Sequence, residues 1–261
     1  LGMEVYRTDG TYLSGSNAYM REGFDDWSHA YVSNGTSTTQ ETGLSAYGYP
    51  DDPERMVSYF GRLGWTWKDT YMLNATLRCD GSSRFAKGHR FGWFPSVSAG
   101  WVITNEKFMQ PVLSWMDFLK IRASWGQVGN QNIDPYMYDA PITFSNTYYL
   151  FGTSLGSTAQ SNYWGAYPSR LANSSITWET SEQLDFGFDA RFLQSRLSVN
   201  FDVYSKKTKN WLVVAPILAT AGTSAPYING GNVKNTGVEL AFSWNDKIGK
   251  DFEYNLGING A

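Results

Sequence analysis

Alternation with a period of two, repeated down most of the chain, limits this sequence more than any other feature. Leu197, Val199, Phe201 and Val203 interleave with Arg196, Ser198, Asn200, Asp202 and Tyr204. Thr236, Val238, Leu240, Phe242 and Trp244 interleave with Asn235, Gly237, Glu239 and Ser243. Phe252, Tyr254, Leu256 and Ile258 do so with Glu253, Asn255, Gly257 and Asn259. Successive side chains of an extended strand point to opposite faces, so each segment has one apolar and one polar face. The same pattern runs through Leu184–Arg191, Leu119–Trp125, Tyr71–Arg78, Val57–Trp67 and Trp93–Ile103. With Leu1–Arg7 that makes about nine strands, and the chain reads as all-β. Both ends fall in strand-like sequence, so we expect a piece of a longer chain.

The two faces ask for different surroundings. Aromatic residues make up 16% of the chain, yet mean hydropathy is −0.39, so polar groups outnumber what one core and one surface need. No run approaches the ~18 apolar residues of a membrane-spanning helix. Net charge is −3 and the basic residues are dispersed, which excludes a nucleic-acid footprint. The links segregate by length. Those after Trp67, Phe192 and Asn245 are short and 104–117 is somewhat longer, whereas about 8–56, 79–92, 128–176 and 206–233 are long. In an up-and-down antiparallel sheet alternate links lie at opposite ends, so every long loop falls on one side. That asymmetry points to an antiparallel transmembrane β-barrel of the outer membrane, with short periplasmic turns and long extracellular loops. Trp65, Trp67, Trp93, Trp101, Trp125 and Trp244 sit on apolar faces near strand ends and are expected in the lipid-interface girdle. A soluble β-sandwich or jelly roll also alternates, but leaves the aromatic face and the sorted loops without a reason.

Little in the sequence carries catalytic chemistry. His29, His89 and the single Cys79 have no ligand spacing, so neither a metal nor a cofactor is expected. Gly152–Gly156 matches G-x-S-x-G, but lies in a loop with no strand before it and no helix after it. Asp185 and Asp189 share a strand face with Arg191 and read as a solvated charged wall. The acidic pairs Asp25–Asp26 and Asp51–Asp52 offer oxygen ligands for a hard cation, without the spaced carboxylates of a built loop. The chain does not read as an enzyme. For ligand binding, Tyr148, Tyr149, Tyr163, Trp164 and Tyr167 place aromatic faces in one long loop, suited to stacking on sugar rings.

The motif "LNATLRCDGSSRFAKGHRFGWFPSVSAGWVITNEKF" (Leu73–Phe108) resembles a hallmark segment of the SusC/RagA-type TonB-linked outer-membrane proteins of Bacteroidota. "FLKIRASWGQVGNQNI", "RLSVNFDVYSKKTKNWLV" and "NVKNTGVELAFSW" are similar to the segments that follow in that family, in the same order. The likeness covers most of the chain from Met56 onward; Thr8–Pro50 and Asp134–Ser175 carry no such motif. The resemblance implies part of a ~22-stranded barrel whose lumen holds a plug, the plug itself not being in this sequence. It further implies active import of a bulky nutrient, oligosaccharide first and oligopeptide second. The implied partners are a SusD-like surface lipoprotein, the TonB–ExbB–ExbD complex, the lipid bilayer and a second importer–lid pair forming a homodimer. A passive porin would share the barrel features, and a soluble glycan-binding β-sandwich would share the alternation.

Overall fold

The computed structural model describes residues 1–19, 22, 28, 31–39, 43–144, 148–151 and 161–261, with 148–151 and 161–164 described by backbone alone. Asp25, Asp26, His29 and the 152–156 motif lie outside the described residues. The chain divides into two compact units, Tyr6–Arg55 and the remainder, Leu1–Val5 with Met56–Ala261.

The larger architecture is a nine-stranded antiparallel sheet. In chain order its strands are β1 (Gly2–Thr8), β2 (Glu54–Trp67), β3 (Tyr71–Ser82), β4 (Phe91–Val102) and β5 (Met116–Asn130), then β6 (Glu179–Phe192), β7 (Leu197–Lys209), β8 (Val233–Ile248) and β9 (Phe252–Gly260). Neighbours in sequence are neighbours in space throughout, and β1 and β9 are the edges. Polar wall and apolar face both follow from the register. Arg62 faces Thr76, Asn74 faces Ser98, and Ser98 faces Ser124, while Trp65 faces Leu73 and Leu73 faces Ala99.

Short links turn tightly because their backbones enter the left-handed region. Lys68 and Asp69 both have positive φ (50° and 51°), and the Thr70 amide donates to the Trp67 carbonyl at 3.0 Å. Positive φ at both central residues is the primed hairpin turn, whose twist suits the strands it joins. Leu193, Gln194 and Ser195 at the β6–β7 link, and Gly249 at the β8–β9 link, are also left-handed. The β4–β5 link carries two 3₁₀ turns, Ile103–Asn105 and Lys107–Val112. Strands run further at the other end than the alternation indicates, to Ser82, Asn130 and Lys209. Cys79 therefore lies buried inside β3, opposite Tyr59 and Trp93, and not in the polar loop.

The long loops are partly strand themselves. Ile142–Thr143 pairs with Tyr167–Pro168, Tyr148–Phe151 with Ser161–Trp164, and Leu212–Val214 with Tyr227–Asn229. In the smaller unit Thr11–Ser16 pairs with Ser45–Pro50, and Tyr12 stacks on Tyr49 at 5.0 Å.

A dry core lies at the long-loop end of the main sheet. Pairing of β4 with β5 stops at Ser96 and Gly126. Beyond it the Phe94 ring fills the gap, so close to Gly129 that a Cβ there would stand 2.1 Å from the ring. Phe85, Ile133, Ile176 and Trp178 complete the cluster, with Leu212 and Tyr227 packed against it. Trp178 lies 5.2 Å from Phe85 and 5.4 Å from Phe94, and its indole N–H donates to the Arg90 carbonyl at 2.9 Å. Three loops are thereby tied to one wedge.

Candidate functional site

The apolar face of the main sheet is left uncovered. Leu63 is 70% exposed, Leu184 56%, Phe186 51%, Val238 55% and Ile258 72%. In water each such side chain would forgo ~1.5–3 kcal/mol of burial, and a contiguous exposed patch of this kind marks an interaction surface. Aromatic pairs border it at the short-turn end. Tyr71 stacks on Trp101 at 6.2 Å and Trp115 on Phe192 at 5.8 Å, while Trp65 lies 6.3 Å from Trp67. The Tyr71 hydroxyl and the Trp101 indole N–H both donate to Glu106 Oε1, at 2.5 and 3.3 Å. At the opposite border the Trp125 indole donates to Glu182 Oε1 at 3.1 Å. Tyr71, Trp101 and Trp125 each keep an apolar body beside the apolar face and a polar tip on a carboxylate. Trp93 lies near the long-loop end of β4 and is 62% exposed; Trp244, opposite Leu197, lies near the short-turn end of β8.

The opposite face is a charged, hydroxyl-rich wall with a groove of about 420 Å³ bordered by Arg62, Asn74, Thr76, Ser98 and Gln183. Its densest electrostatic feature centres on Arg122. The guanidinium reaches Asp202 on β7 at 2.7 Å, Asp189 on β6 at 3.3 Å and Asp185 at 3.9 Å. Asn200 donates to Asp189 Oδ1 at 2.8 Å. Reaching β7 from β5 means crossing β6, and Gly187 is what allows it. Arg122, Gly187 and Asp202 stand in one cross-strand row. A Cβ on Gly187 would lie 2.1 Å from Asp202 Oδ1 and 2.6 Å from the Phe201 carbonyl.

Arg191 is not the partner that the shared face suggests. Its guanidinium lies over the Phe118 ring at 4.9 Å, leaving the carboxylates to Arg122. Sequence reasoning could name the face but not the partner, because the β5–β6 register decides which cation stands beside Asp189.

Gly187→Ala gives a test with an unusual sign. Glycine inside a strand normally costs ~0.5–1 kcal/mol relative to alanine. Here the added methyl would push Asp202 off Arg122, with an expected loss of ~1–3 kcal/mol typical of overpacking. Urea unfolding of the folded full-length protein reads it; a gain in stability would contradict the crossing described above.

Among the other candidates, Tyr167 is 40% exposed. Tyr148 pairs with Trp164 and Tyr149 with Tyr163 along the backbone of one hairpin, their side chains lying outside the described residues. Asp51 Oδ1 is taken by the Asp52 amide at 3.0 Å, and among the described residues no three His, Cys, Asp or Glu groups gather as a metal cluster. His89 lies in the turn closed by its own amide on the Ala86 carbonyl. The wedge residues Phe94 and Trp178 were missed, although Phe94 gave a signal: a bulky ring at a position whose strand neighbours Ser96 and Ser98 are polar.

The family described as "TonB dependent receptor-like, beta-barrel" matches residues 3–261. The TonB-dependent receptor SusC of Bacteroides thetaiotaomicron is 35% identical over 208 residues, covering 78% of this chain and 20% of the relative. A TonB-dependent receptor of Formosa agariphila is 33% identical over 207 residues, 78% of this chain and 19% of the relative. A solved structure of the RagAB peptide transporter superposes with a TM-score of 0.75 and 25% identity, over 98% of this chain and 27% of that one. The chain spans about a fifth of the length of the curated relatives it matches. The SusC-type resemblance of the strand motifs is borne out, and the family comprises outer-membrane transporters and receptors, not enzymes. An all-β antiparallel sheet with a polar wall, an uncovered apolar face and its three longest links at one end belongs, on this match over nearly its whole length, to the TonB-dependent receptor-like β-barrel family.

Proposed function

We propose that this chain forms part of the transmembrane wall of an active importer, multi-pass in the outer membrane. It carries a bulky nutrient inward with energy relayed by TonB, beneath a SusD-like lipoprotein lid. The observation that carries this reading is the two-faced sheet: one face too apolar for water and one too charged for lipid, with the three longest links at one end. Lipid covers the first face, and the second lines the lumen around a plug supplied by the rest of the protein. Trp93 and Trp125 belong to the outer girdle; Trp65, Trp67, Trp101 and Trp244 belong to the inner one.

Oligosaccharide is the preferred cargo. Tyr148, Tyr149, Tyr163, Trp164 and Tyr167 fall in one long loop, and aromatic residues so grouped suit stacking on sugar rings. Oligopeptide is the second reading, supported by the likeness to the solved RagAB peptide transporter. Pairing of two importer–lid units belongs to the same proposal.

Uptake of labelled oligosaccharides and oligopeptides by cells making the full-length protein, with and without TonB, tests it. TonB-dependent oligosaccharide uptake is expected. Uptake of peptides alone would replace the cargo, and flux that survives loss of TonB would make the protein a porin.

A further inference from the structure

Just beyond the apolar band, at the long-loop end, the same face of the sheet turns basic. Along β7 it runs Phe201, Val203, Ser205, Lys207 and Lys209; along β8 it runs Phe242, Leu240, Val238, Thr236 and Lys234. Lys207 and Lys234 stand directly opposite each other, Cα partner to Cα partner. Directly opposed side chains in an antiparallel pair have Cβ atoms ~4.5–5.5 Å apart, and like charges placed so are destabilising.

Neighbouring charges relieve that repulsion only in part. Glu182, opposite Lys207 across the β6–β7 pair, is the carboxylate on this stretch of the face. It is bonded to Lys209 Nζ, and it also accepts from the Trp125 indole at 3.1 Å and the Gln127 amide at 3.5 Å. Among the described residues, neither Lys207 nor Lys234 has a carboxylate within ion-pair distance, and both are exposed. Glu239 and Asp202 belong to the opposite, polar-wall face. The outward patch therefore carries three ammonium groups and one engaged carboxylate, one residue pair above Thr236 and Ser205, where the apolar rows end.

We propose that Lys207 and Lys234 clamp a phosphate group of a phosphorylated lipid headgroup in the outer leaflet. The inference rests on the membrane reading above and adds a ligand to it. An anion between two opposed lysines neutralises both, and phosphate offers several acceptor oxygens to ammonium donors. Position selects the source. Acyl chains of the same lipid would lie along Val203, Val238 and Leu240, so one molecule satisfies both the cations and the apolar rows beneath them. Lys209, already held by Glu182, fixes one border of the site.

The test uses the full-length protein purified in detergent, with a lipid carrying phosphate monoesters on its headgroup as the probe, read by native mass spectrometry. The wild type is expected to retain it, and the Lys207→Gln/Lys234→Gln double variant to bind about thirtyfold more weakly, at roughly fivefold per surface lysine. Binding should weaken as salt rises, since exposed charges are screened. The same lipid stripped of its phosphates should bind the wild type no better than the variant. Equal retention by wild type and variant, with both in the outer-membrane fraction, would overturn the headgroup site and leave the membrane reading standing. Displacement of the lipid by millimolar inorganic phosphate would overturn the lipid as occupant in favour of free phosphate. Wild-type protein soluble without detergent would overturn both readings together.

Discussion

Trp178→Ala is expected to remove ~3–5 kcal/mol from the outer part of the structure, the range for truncating a large buried aromatic. The ring is 5% exposed and lies between Phe85 and Phe94. Its loss opens a cavity and also leaves the Arg90 carbonyl without its indole donor. Arg90 in turn donates to the Phe85 carbonyl at 3.1 Å, so the segment between Ser82 and Phe91 loses its inner anchor. Two other segments lean on the same cluster: Ile133 and Ile176 bound the loop between β5 and β6, and Leu212 and Tyr227 belong to the loop between β7 and β8. Their polar ties, such as Asn229 bridging the Thr177 carbonyl and the Asn210 carbonyl at 2.8 and 2.9 Å, cannot replace a dry core. Hydrogen exchange should therefore accelerate in all three loops while the strand ladders below Ser96 stay protected. Unchanged protection in the loops would show that the wedge does not join them.

Phe186→Arg separates lipid from water most sharply. Phe186 lies at the middle of β6, between Ala123 and Val203, and is 51% exposed. On a soluble sandwich, changing an exposed residue alters stability by about 0.5 kcal/mol or less. At the midplane of a bilayer an arginine on the lipid face costs ~2–4 kcal/mol. Urea titration of the full-length protein folded into vesicles is expected to show the larger loss. Arginine at position 184, nearer the long-loop end of β6, should cost less, because the penalty falls toward the interface. A flat response at both positions would place this face in water.

Much of this architecture is legible in the sequence because strand identity is a local property. Val199, Phe201 and Val203 alternate with Ser198, Asn200 and Asp202 whatever their neighbours are, and the faces follow. The order of short and long links then forces all long loops to one end without any knowledge of register. What stayed hidden depends on long-range pairing. Arg122 and Arg191 both lie on the polar face, and only the alignment of β5, β6 and β7 decides which reaches Asp189 and Asp202. Gly187 looks like any small residue on a wet wall until Arg122 and Asp202 flank it. Phe60, Phe94 and Phe118 break the polar pattern for separate reasons: Phe60 and Phe118 carry the guanidinium groups of Arg78 and Arg191, and Phe94 fills the wedge. The Tyr6–Arg55 unit shows no readable period because its hairpin is only six residues per strand.

On the proposed membrane reading, one face of this sheet touches lipid and the other water. Spin labels placed singly along β6 from position 182 to 190, in full-length protein reconstituted into bilayers, test it most directly. Collision with dissolved oxygen and with a water-soluble nickel chelate should alternate with a period of two. Positions 184, 186 and 188 should favour oxygen, and 183, 185 and 189 should favour the chelate. Equal access of the chelate to both sets of positions would contradict a transmembrane wall.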